Sequence, residues 1–239
     1  MNIILFENIP KYISHTDDRA IHIRKILKLK EGDSFRAGIL DGPTGEVRIT
    51  AADEKGYTME WLELEPPADL YPLTLLTGFV RPISAKRILR EAASLGVKRL
   101  VFSVTDTGER SYLSASLWKS GEYREYLKNG LQTAGATVIP RVELHGGVHE
   151  AVSASLEAAE NPVCLLLDNI TGKVPISEKQ LHHRQVVLAV GSERGWSDRE
   201  RSIFLRSGFE PVKLGSRILR TETACSVGTA LALEGMGFI

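Results

Sequence analysis

Two glycine-containing loops near the end of the chain have the composition of a ligand-binding site. The apolar run Val186–Val190 is followed directly by Gly191, and a second strand-like piece at residues 211–214 is followed by Gly215. The β-branched run predicts a strand buried in a parallel sheet. Glycine after such a strand lets backbone amides approach a ligand, and ligands of open α/β sheets bind beyond the carboxyl ends of the strands. The same glycines are equally compatible with two short βα turns that bind nothing.

The elements that would position these loops alternate between strand and helix from residue 71 onward. This alternation predicts an α/β domain with a parallel sheet and helices on both faces. Ser197 and Glu200 form a capping box, so a helix is expected to begin near Asp198. Further strands are predicted at residues 73–79, 100–104, 138–144 and 163–167, and further helices at 83–95, 113–133, 148–159 and 225–233. The helical region at 113–133 is expected to be either broken or joined around Ser120-Gly121.

The first part of the chain has a different pattern. Residues 1–68 contain short strand-like segments separated by turns, which suggests a small barrel. Residues 65–69 include two consecutive prolines and have the composition of a linker. Two domains are therefore predicted, at residues 1–68 and 71–239.

The whole-chain composition is ordinary for a globular protein. Lysine plus arginine equals aspartate plus glutamate at 30 each, which argues against indiscriminate nucleic-acid binding but leaves room for a local basic patch. Cys164 and Cys225 are interpreted as small buried hydrophobes in a reducing compartment. No signal peptide or membrane-spanning stretch is recognised, so cytoplasmic residence is expected. The His182-His183 pair lacks further ligands at metal spacing, and no metal site is predicted.

The most specific motif is Leu-Gly-Ser-Arg-Ile-Leu-Arg-Thr-Glu-Thr-Ala at residues 214–224. It closely resembles the last motif of the ribosomal RNA uridine-N3 methyltransferases, which belong to the knotted SPOUT class. The loop Gly-Ser-Glu-Arg-Gly-Trp-Ser at residues 191–197 is similar to their Gly-Pro-Glu-Gly-Gly-Phe-Ser loop, with three substitutions. The resemblance covers nearly the whole chain in layout. It implies a SPOUT domain with a parallel sheet and a trefoil knot, preceded by a small PUA-like β-barrel.

The resemblance also implies a cofactor, S-adenosylmethionine, bound in a cleft between three βα loops. Here these loops are residues 167–170, 191–195 and 214–220. An adenine requires an apolar slot and a few backbone partners, although ordinary core packing would explain any single leucine equally well. The implied cofactor-binding residues are Leu167, Asp168, Gly191, Glu193, Gly195, Leu214, Gly215, Ile218 and Leu219.

Methylation of uridine N3 in 16S ribosomal RNA is the implied reaction. The N3 proton has to leave, so a general base is needed, and Glu222 is the first candidate, with Glu193 as the second. Glu222 is also placed to cap the following helix or to hold the ribose or a partner subunit. Arg220 is expected to stabilise the uridine anion, or to form a structural ion pair with one of these glutamates.

A basic segment at residues 19–30 is the expected RNA-binding surface. It contains five lysine or arginine residues and no acid, and apolar residues fall at helical spacing at Ile23, Ile26 and Leu27. A similar stretch lies in the RNA-binding barrel of the family, although a charge run is usually a solvated helix face. The implied RNA-binding residues are Arg19, His22, Arg24, Lys25, Lys28 and Arg110.

The chain departs from the family pattern at several positions, including Leu5, Arg81-Pro82, Ala136 and Arg194. A guanidinium at Arg194 would either contact an RNA phosphate or block a pose that glycine allows. Two other functions stay open: a SPOUT methyltransferase acting on a different RNA nucleotide, and a non-catalytic RNA-binding or assembly protein. A homodimer is implied, because the active cleft of this class is completed across two protomers.

Overall fold

The computed structural model describes residues 2–239 and divides the chain into two compact units. One unit holds the described residues up to Asp69 together with Leu131–Ile139, and the other holds Leu70–Gly130 and Pro140–Ile239. The division at Asp69 lies in the proline-containing segment 65–69. That residues 131–139 join the first unit was not predicted from the sequence.

The first unit contains a five-stranded mixed sheet in the order β1-β3-β4-β5-β2. Only the β1–β3 pair is parallel. A core of apolar side chains that includes Ile4, Val47 and Ile49 lies against this sheet. The later segment is attached through the Ile139 amide, which donates to Asp41 Oδ1 at 2.8 Å. The strands are β1 (Ile4–Phe6), β2 (Tyr12–Ser14), β3 (Ser34–Ile39), β4 (Thr44–Ala52) and β5 (Gly56–Glu65).

The basic segment does not form the single amphipathic helix that its spacing predicts. The α-helix α1 covers only Asp18–His22, and the next five residues, Ile23–Leu27, form a π-helical turn that ends at Lys28 in the left-handed region, with φ 56°. The wider turn changes which side chains face inward. Ile23 is therefore buried, whereas Ile26 is 67% exposed.

The second unit contains a seven-stranded sheet in the order β10-β12-β9-β11-β6-β7-β8. Every pairing in it is parallel, which confirms the predicted sheet. The central strands are continuous apolar runs, as expected for strands buried on both faces. The strands are β6 (Tyr71–Gly78), β7 (Val97–Ser103), β8 (Arg141–His145), β9 (Val163–Leu167), β10 (Val174–Pro175), β11 (Val186–Val190) and β12 (Glu210–Lys213).

The helices of the later part of the chain begin and end close to the predicted positions, with one exception. The region predicted as helical at 113–133, broken or joined around Ser120-Gly121, begins with a 3-10 turn at Arg110–Ser114 that was not predicted, and its two helices are separated near Gly121, where φ is +77°. The α-helices are α2 (Pro82–Ser94), α3 (Ser116–Lys119), α4 (Tyr123–Ala134), α5 (Val148–Glu157), α6 (Asp198–Arg206) and α7 (Thr221–Met236).

Helices cover both faces of the parallel sheet. Val187 and Ala189 of β11 share a buried cluster with Phe204 of α6 and with α5. Leu188, which points to the opposite face because side chains alternate along a strand, lies beside Gly228 of α7. The sheet is therefore enclosed, and its strand ends are the places where a ligand can approach.

Candidate active site

A cavity of about 730 Å³ opens at the carboxyl ends of neighbouring strands in the second unit. The sheet order places β12, β9, β11 and β6 side by side, so the turns that follow them meet at one edge. The volume lies in the range usual for small-molecule sites. The edge is also where ligands of parallel α/β sheets bind.

The structure brings most of the predicted site residues together around this cavity. Gly215 does not line the cavity itself, although its neighbour Leu214 does, and Arg110 does not line it either. The predicted residues that do line it are Leu167, Asp168, Gly191, Glu193, Gly195, Leu214, Ile218, Leu219, Arg220 and Glu222.

The turn after β11 is tight because glycine occupies both of its ends. The Gly195 amide donates to the Ser192 carbonyl oxygen at 2.9 Å, and Gly195 has φ +69°. A Cβ added to Gly191 would lie 2.7 Å from the Cα of Gly195. A side chain at Gly191 would therefore force the turn to move, and a side chain at Gly195 would be strained by the left-handed backbone.

The carboxylate of Asp168 is fully engaged within the protein. Arg201 donates to it from Nε at 2.9 Å and from Nη2 at 3.3 Å, and the Thr171 hydroxyl donates at 2.5 Å. Burial acts to raise the pKa of this carboxyl, but the hydrogen bonds from Arg201 and Thr171 outweigh it, so the pKa lies below its ordinary value. Asp168 thus organises the loop after β9 and has little capacity left for a ligand.

Arg201 connects two of the predicted loops. It lies on α6, the helix that follows the turn at 191–195, and its partner Asp168 begins the loop after β9. The two side chains are only 10% and 4% exposed. A buried, hydrogen-bonded ion pair therefore fixes the distance between these two walls of the cavity.

A second buried carboxylate holds the turn after β11 from its other side. Glu200 is fully buried, and it accepts hydrogen bonds from the amides of Asp106 at 2.8 Å and Ser197 at 2.7 Å. The Thr107 hydroxyl donates to the Gly195 carbonyl oxygen at 3.2 Å. The loop after β7, which leads to Arg110, is therefore attached to the turn at 191–195.

The two candidate bases have different partners. Glu193 accepts a hydrogen bond from the backbone amide of Arg81 at 3.0 Å, at the start of α2. Glu222 lies in the first turn of α7, is 12% exposed and pairs with Arg87 at 3.4 Å. Arg220 forms no ion pair with either glutamate in the described part of the chain. Its guanidinium is thus available to a ligand.

The apolar residues of the cavity fall into two groups. Leu167 is buried and lies against Gly228 of α7, as ordinary core packing requires. Ile218 is 83% exposed and Leu219 is 36% exposed, so packing does not account for these two. Exposed apolar side chains in a concave site are typical of surfaces that a ligand or partner covers.

The predicted RNA-binding residues of the first unit have different surroundings. Arg19 forms a bidentate pair with Asp17 and lies 4.6 Å above the ring centroid of Phe6. His22 is half-buried, and its Nε2 has no hydrogen-bond partner among residues 2–239. The remaining members, Arg24, Lys25 and Lys28, are exposed, as is Arg110 in the second unit.

Sequence reasoning missed several residues that shape the cavity. Each of them acts through a partner that is distant in the chain. Arg201 pairs with Asp168, 33 residues away, and the Asp106 amide donates to Glu200, 94 residues away. Arg87 pairs with Glu222, 135 residues away. The capping box that identifies Ser197 and Glu200 is local, and it is present. Glu200 also accepts a hydrogen bond from the Asp106 amide, and no local pattern in the sequence indicates this contact.

The described residues contain neither a candidate membrane-spanning helix nor a cluster of metal-binding side chains. Between residues 2 and 239, no helix combines the length and the apolar character needed to cross a bilayer. The same residues contain no group of three or more histidine, cysteine, aspartate or glutamate side chains suited to a metal ion.

Comparison with known proteins defines the class and then the family. A model of the RNA methyltransferase domain matches residues 66–233. The ribosomal RNA small subunit methyltransferase E of Treponema pallidum is 38% identical, over 98% of this chain and 91% of the relative. Methyltransferase E 1 of Borreliella burgdorferi is 32% identical, over 99% of this chain and the whole relative. The chain therefore belongs to the ribosomal RNA small subunit methyltransferase E family, and the resemblance predicted from its motifs is confirmed.

A solved structure has the same fold. The methyltransferase E of Neisseria gonorrhoeae, crystallised with S-adenosyl methionine bound, superimposes with a TM-score of 0.77 and 19% identity. The match covers 98% of this chain and 97% of that one.

We expect the substitution Arg201→Met to destabilise the protein most strongly near neutral pH. Removing the guanidinium leaves the Asp168 carboxylate buried and unpaired, which costs about 3–5 kcal/mol. Because the pKa of Asp168 is depressed in the folded protein, the pair contributes fully above the ordinary aspartate pKa of about 4. That contribution is lost as the pH falls through the lower folded-state pKa, so the deficit should shrink in acid. Urea unfolding of the unaltered protein and of the Arg201→Met variant between pH 3 and 7 measures the difference in their free energies of unfolding.

Arg206→Met is the matched control. Arg206 is exposed on the same helix and donates only to the Ser202 carbonyl oxygen in the described structure. Its substitution should change the free energy of unfolding by no more than about 0.5 kcal/mol. If Arg201→Met lowers the free energy of unfolding by the same amount at pH 3 and at pH 7, the stabilising role of the Asp168–Arg201 pair is contradicted.

Proposed function

We propose that this protein transfers a methyl group from S-adenosylmethionine to N3 of a uridine in 16S ribosomal RNA, in the cytoplasm. The observation that carries the proposal is the cavity at the carboxyl ends of β12, β9, β11 and β6. Its lining combines exposed apolar side chains, a glycine-ended turn, and a carboxylate and guanidinium in close succession at Glu222 and Arg220. Family membership, through relatives named for this class of RNA, supports the same conclusion.

The residues of the cavity fit the methyl donor. Leu214, Ile218 and Leu219 provide an apolar slot for an adenine, and backbone groups around Gly191 and Gly195 provide hydrogen-bond partners. Asp168 acts through its loop and through Arg201, because its carboxylate is already saturated. When bound, S-adenosylmethionine supplies an electrophilic methyl group.

The chain's own residues prepare the uridine. Glu222 accepts the N3 proton as general base, and its pairing with Arg87 restrains the carboxylate at the start of α7. Arg220, immediately before that helix, stabilises the uridine anion through its planar fork of donors. Holding the methyl donor and the uridine in the right orientation lowers the activation barrier further.

The two units take different roles in this proposal. The first unit is a PUA-like barrel that binds RNA through the basic segment, where Arg24, Lys25 and Lys28 are exposed. The second unit is the methyltransferase domain, in which the segment carrying the last motif is threaded as a trefoil knot. A homodimer completes the cleft, and exposed apolar side chains at Ile83 and Val227 would be covered by the partner.

Two measurements test the function. Isothermal calorimetry should show binding of S-adenosylhomocysteine. Purified protein, given labelled donor and small ribosomal subunits from a strain that lacks the gene, should modify one uridine at N3 when the modified base is mapped. Modification of another nucleotide would favour a different RNA methyltransferase. Absence of both binding and transfer would favour a non-catalytic RNA-binding or assembly protein.

The substitution Gly191→Ala should weaken donor binding. The added Cβ would lie 2.7 Å from Gly195 Cα and 2.9 Å from its carbonyl carbon, so the turn has to open. We expect the Kd for S-adenosylhomocysteine to rise at least about tenfold, which corresponds to about 1.4 kcal/mol. Gly147→Ala is the control, since its Cβ would meet nothing within 4 Å. Equal affinity in both variants would show that this turn does not contact the donor.

The substitution Glu222→Gln tests the general base. Loss of a positioned base typically lowers kcat by about 10²–10⁴-fold, while the Kd for S-adenosylhomocysteine should stay within about twofold. Glu234→Gln removes the same charge from an exposed position on the same helix and should keep full turnover. Full turnover in Glu222→Gln would disprove the base assignment and leave the function standing.

A further inference from the structure

The side chains that line the cavity carry more positive than negative charges. The lining contains six cationic side chains, Arg81, Arg194, Arg201, Lys213, Arg217 and Arg220, against three carboxylates, Asp168, Glu193 and Glu222. The chain as a whole has a formal net charge of zero. The lining therefore carries an excess of three positive charges that the overall composition of the chain does not reveal.

Internal pairing increases the imbalance. Asp168 forms an ion pair with Arg201, and Glu193 accepts a hydrogen bond from a backbone amide. Glu222 pairs with Arg87, which lies outside the lining. Arg194, Arg217 and Arg220 are exposed, and their guanidinium groups have no hydrogen-bond or ion-pair partner within residues 2–239. Three free guanidinium groups thus surround the opening.

The methyl donor does not explain this excess. S-adenosylmethionine carries a sulfonium, an ammonium and one carboxylate, so it is itself a net cation. A ligand with that charge is repelled by surplus guanidinium groups. A polyanion is attracted by them, and a guanidinium fork matches a phosphate with two parallel hydrogen bonds.

Arg194 is the best anchored of the three. It sits in the turn after β11, which is closed by the Ser192–Gly195 hydrogen bond and held at Gly195 by Thr107. The backbone beneath an exposed guanidinium is therefore fixed, which lowers the entropy lost on binding. Arg217, by contrast, lies in the exposed, irregular segment between β12 and α7.

We propose that Arg194 binds a backbone phosphate of the RNA next to the target nucleotide. The proposal rests on the proposed function, because it assumes that the substrate is RNA. It adds an RNA contact inside the methyltransferase unit, on the donor-side turn itself, and separate from the basic segment at residues 19–30.

The test compares Arg194→Gln with Arg206→Gln. Both substitutions remove one exposed arginine, but Arg206 lies outside the cavity lining. Binding to 16S ribosomal RNA is measured between 50 and 200 mM salt, and the Kd for S-adenosylhomocysteine is measured in parallel. Arg194→Gln should weaken RNA binding on the order of three- to tenfold at low salt and reduce the log–log salt slope by about 0.7–0.9. In turnover, the loss should fall on the KM for RNA.

A third variant separates charge from geometry. Arg194→Lys keeps the charge but loses the fork, so it should restore the salt slope and recover only part of the affinity. An unchanged slope in Arg194→Gln, or the same change in Arg206→Gln, would overturn the proposal. A changed Kd for S-adenosylhomocysteine in Arg194→Gln, with RNA binding intact, would also overturn it by assigning the residue to the donor. If the unaltered protein methylates no RNA, the proposed function fails, and the salt slopes still decide whether Arg194 contacts phosphate.

Discussion

The buried pairing of Asp168 with Arg201 is the interaction on which the geometry of the cavity depends. It joins the end of β9 to the helix that follows β11, and those two strands are neighbours in the sheet. Separating this buried pair would leave a charge unpaired in the protein interior, which is strongly destabilising. The walls of the site are therefore set by the folded protein before any ligand arrives, and a site with preformed walls loses less entropy on binding.

Several carboxylates near the cavity accept hydrogen bonds that hold its loops in place. Glu200 holds two backbone amides, and Glu193 holds a third at the start of α2. Asp106 pairs with Arg199, and the hydrogen bond from that arginine, followed by the one from Ser197, keeps the pKa of Asp106 below its usual range. Because the acids are consumed internally, arginines dominate what the opening presents. A neutral chain acquires a strongly cationic site in this way, without a basic overall composition.

The sequence was most informative where the determining forces are local. Continuous apolar runs identified β9 and β11, and Ser197 with Glu200 identified the start of α6, because strand burial and helix capping are both visible in a few adjacent residues. The two glycine-containing loops followed from the rule that ligands bind beyond the carboxyl ends of parallel strands, whereas the loop at 167–170 was implied by the family resemblance. The ion pair of Asp168 was not predicted, since its partner Arg201 is 33 residues away and nothing local indicates the pair. The π-helical turn at Ile23–Leu27 was missed for a related reason: its sequence satisfies ordinary helical spacing, and the extra residue per turn depends on packing.

The contribution of residues 131–139 to the first unit has a practical consequence for dissecting the protein. A single cut in the linker at 65–69 would not separate two complete folding units, because one fragment would lack a piece of its own structure. Among the lost contacts are the amide of Ile139 on Asp41 and the hydroxyl of Thr137 on the carbonyl oxygen of Gly42, at 2.6 Å. A gene fragment that ends in the linker would therefore encode an incomplete first unit. A faithful isolated N-terminal half needs the later peptide supplied in trans or fused by circular permutation.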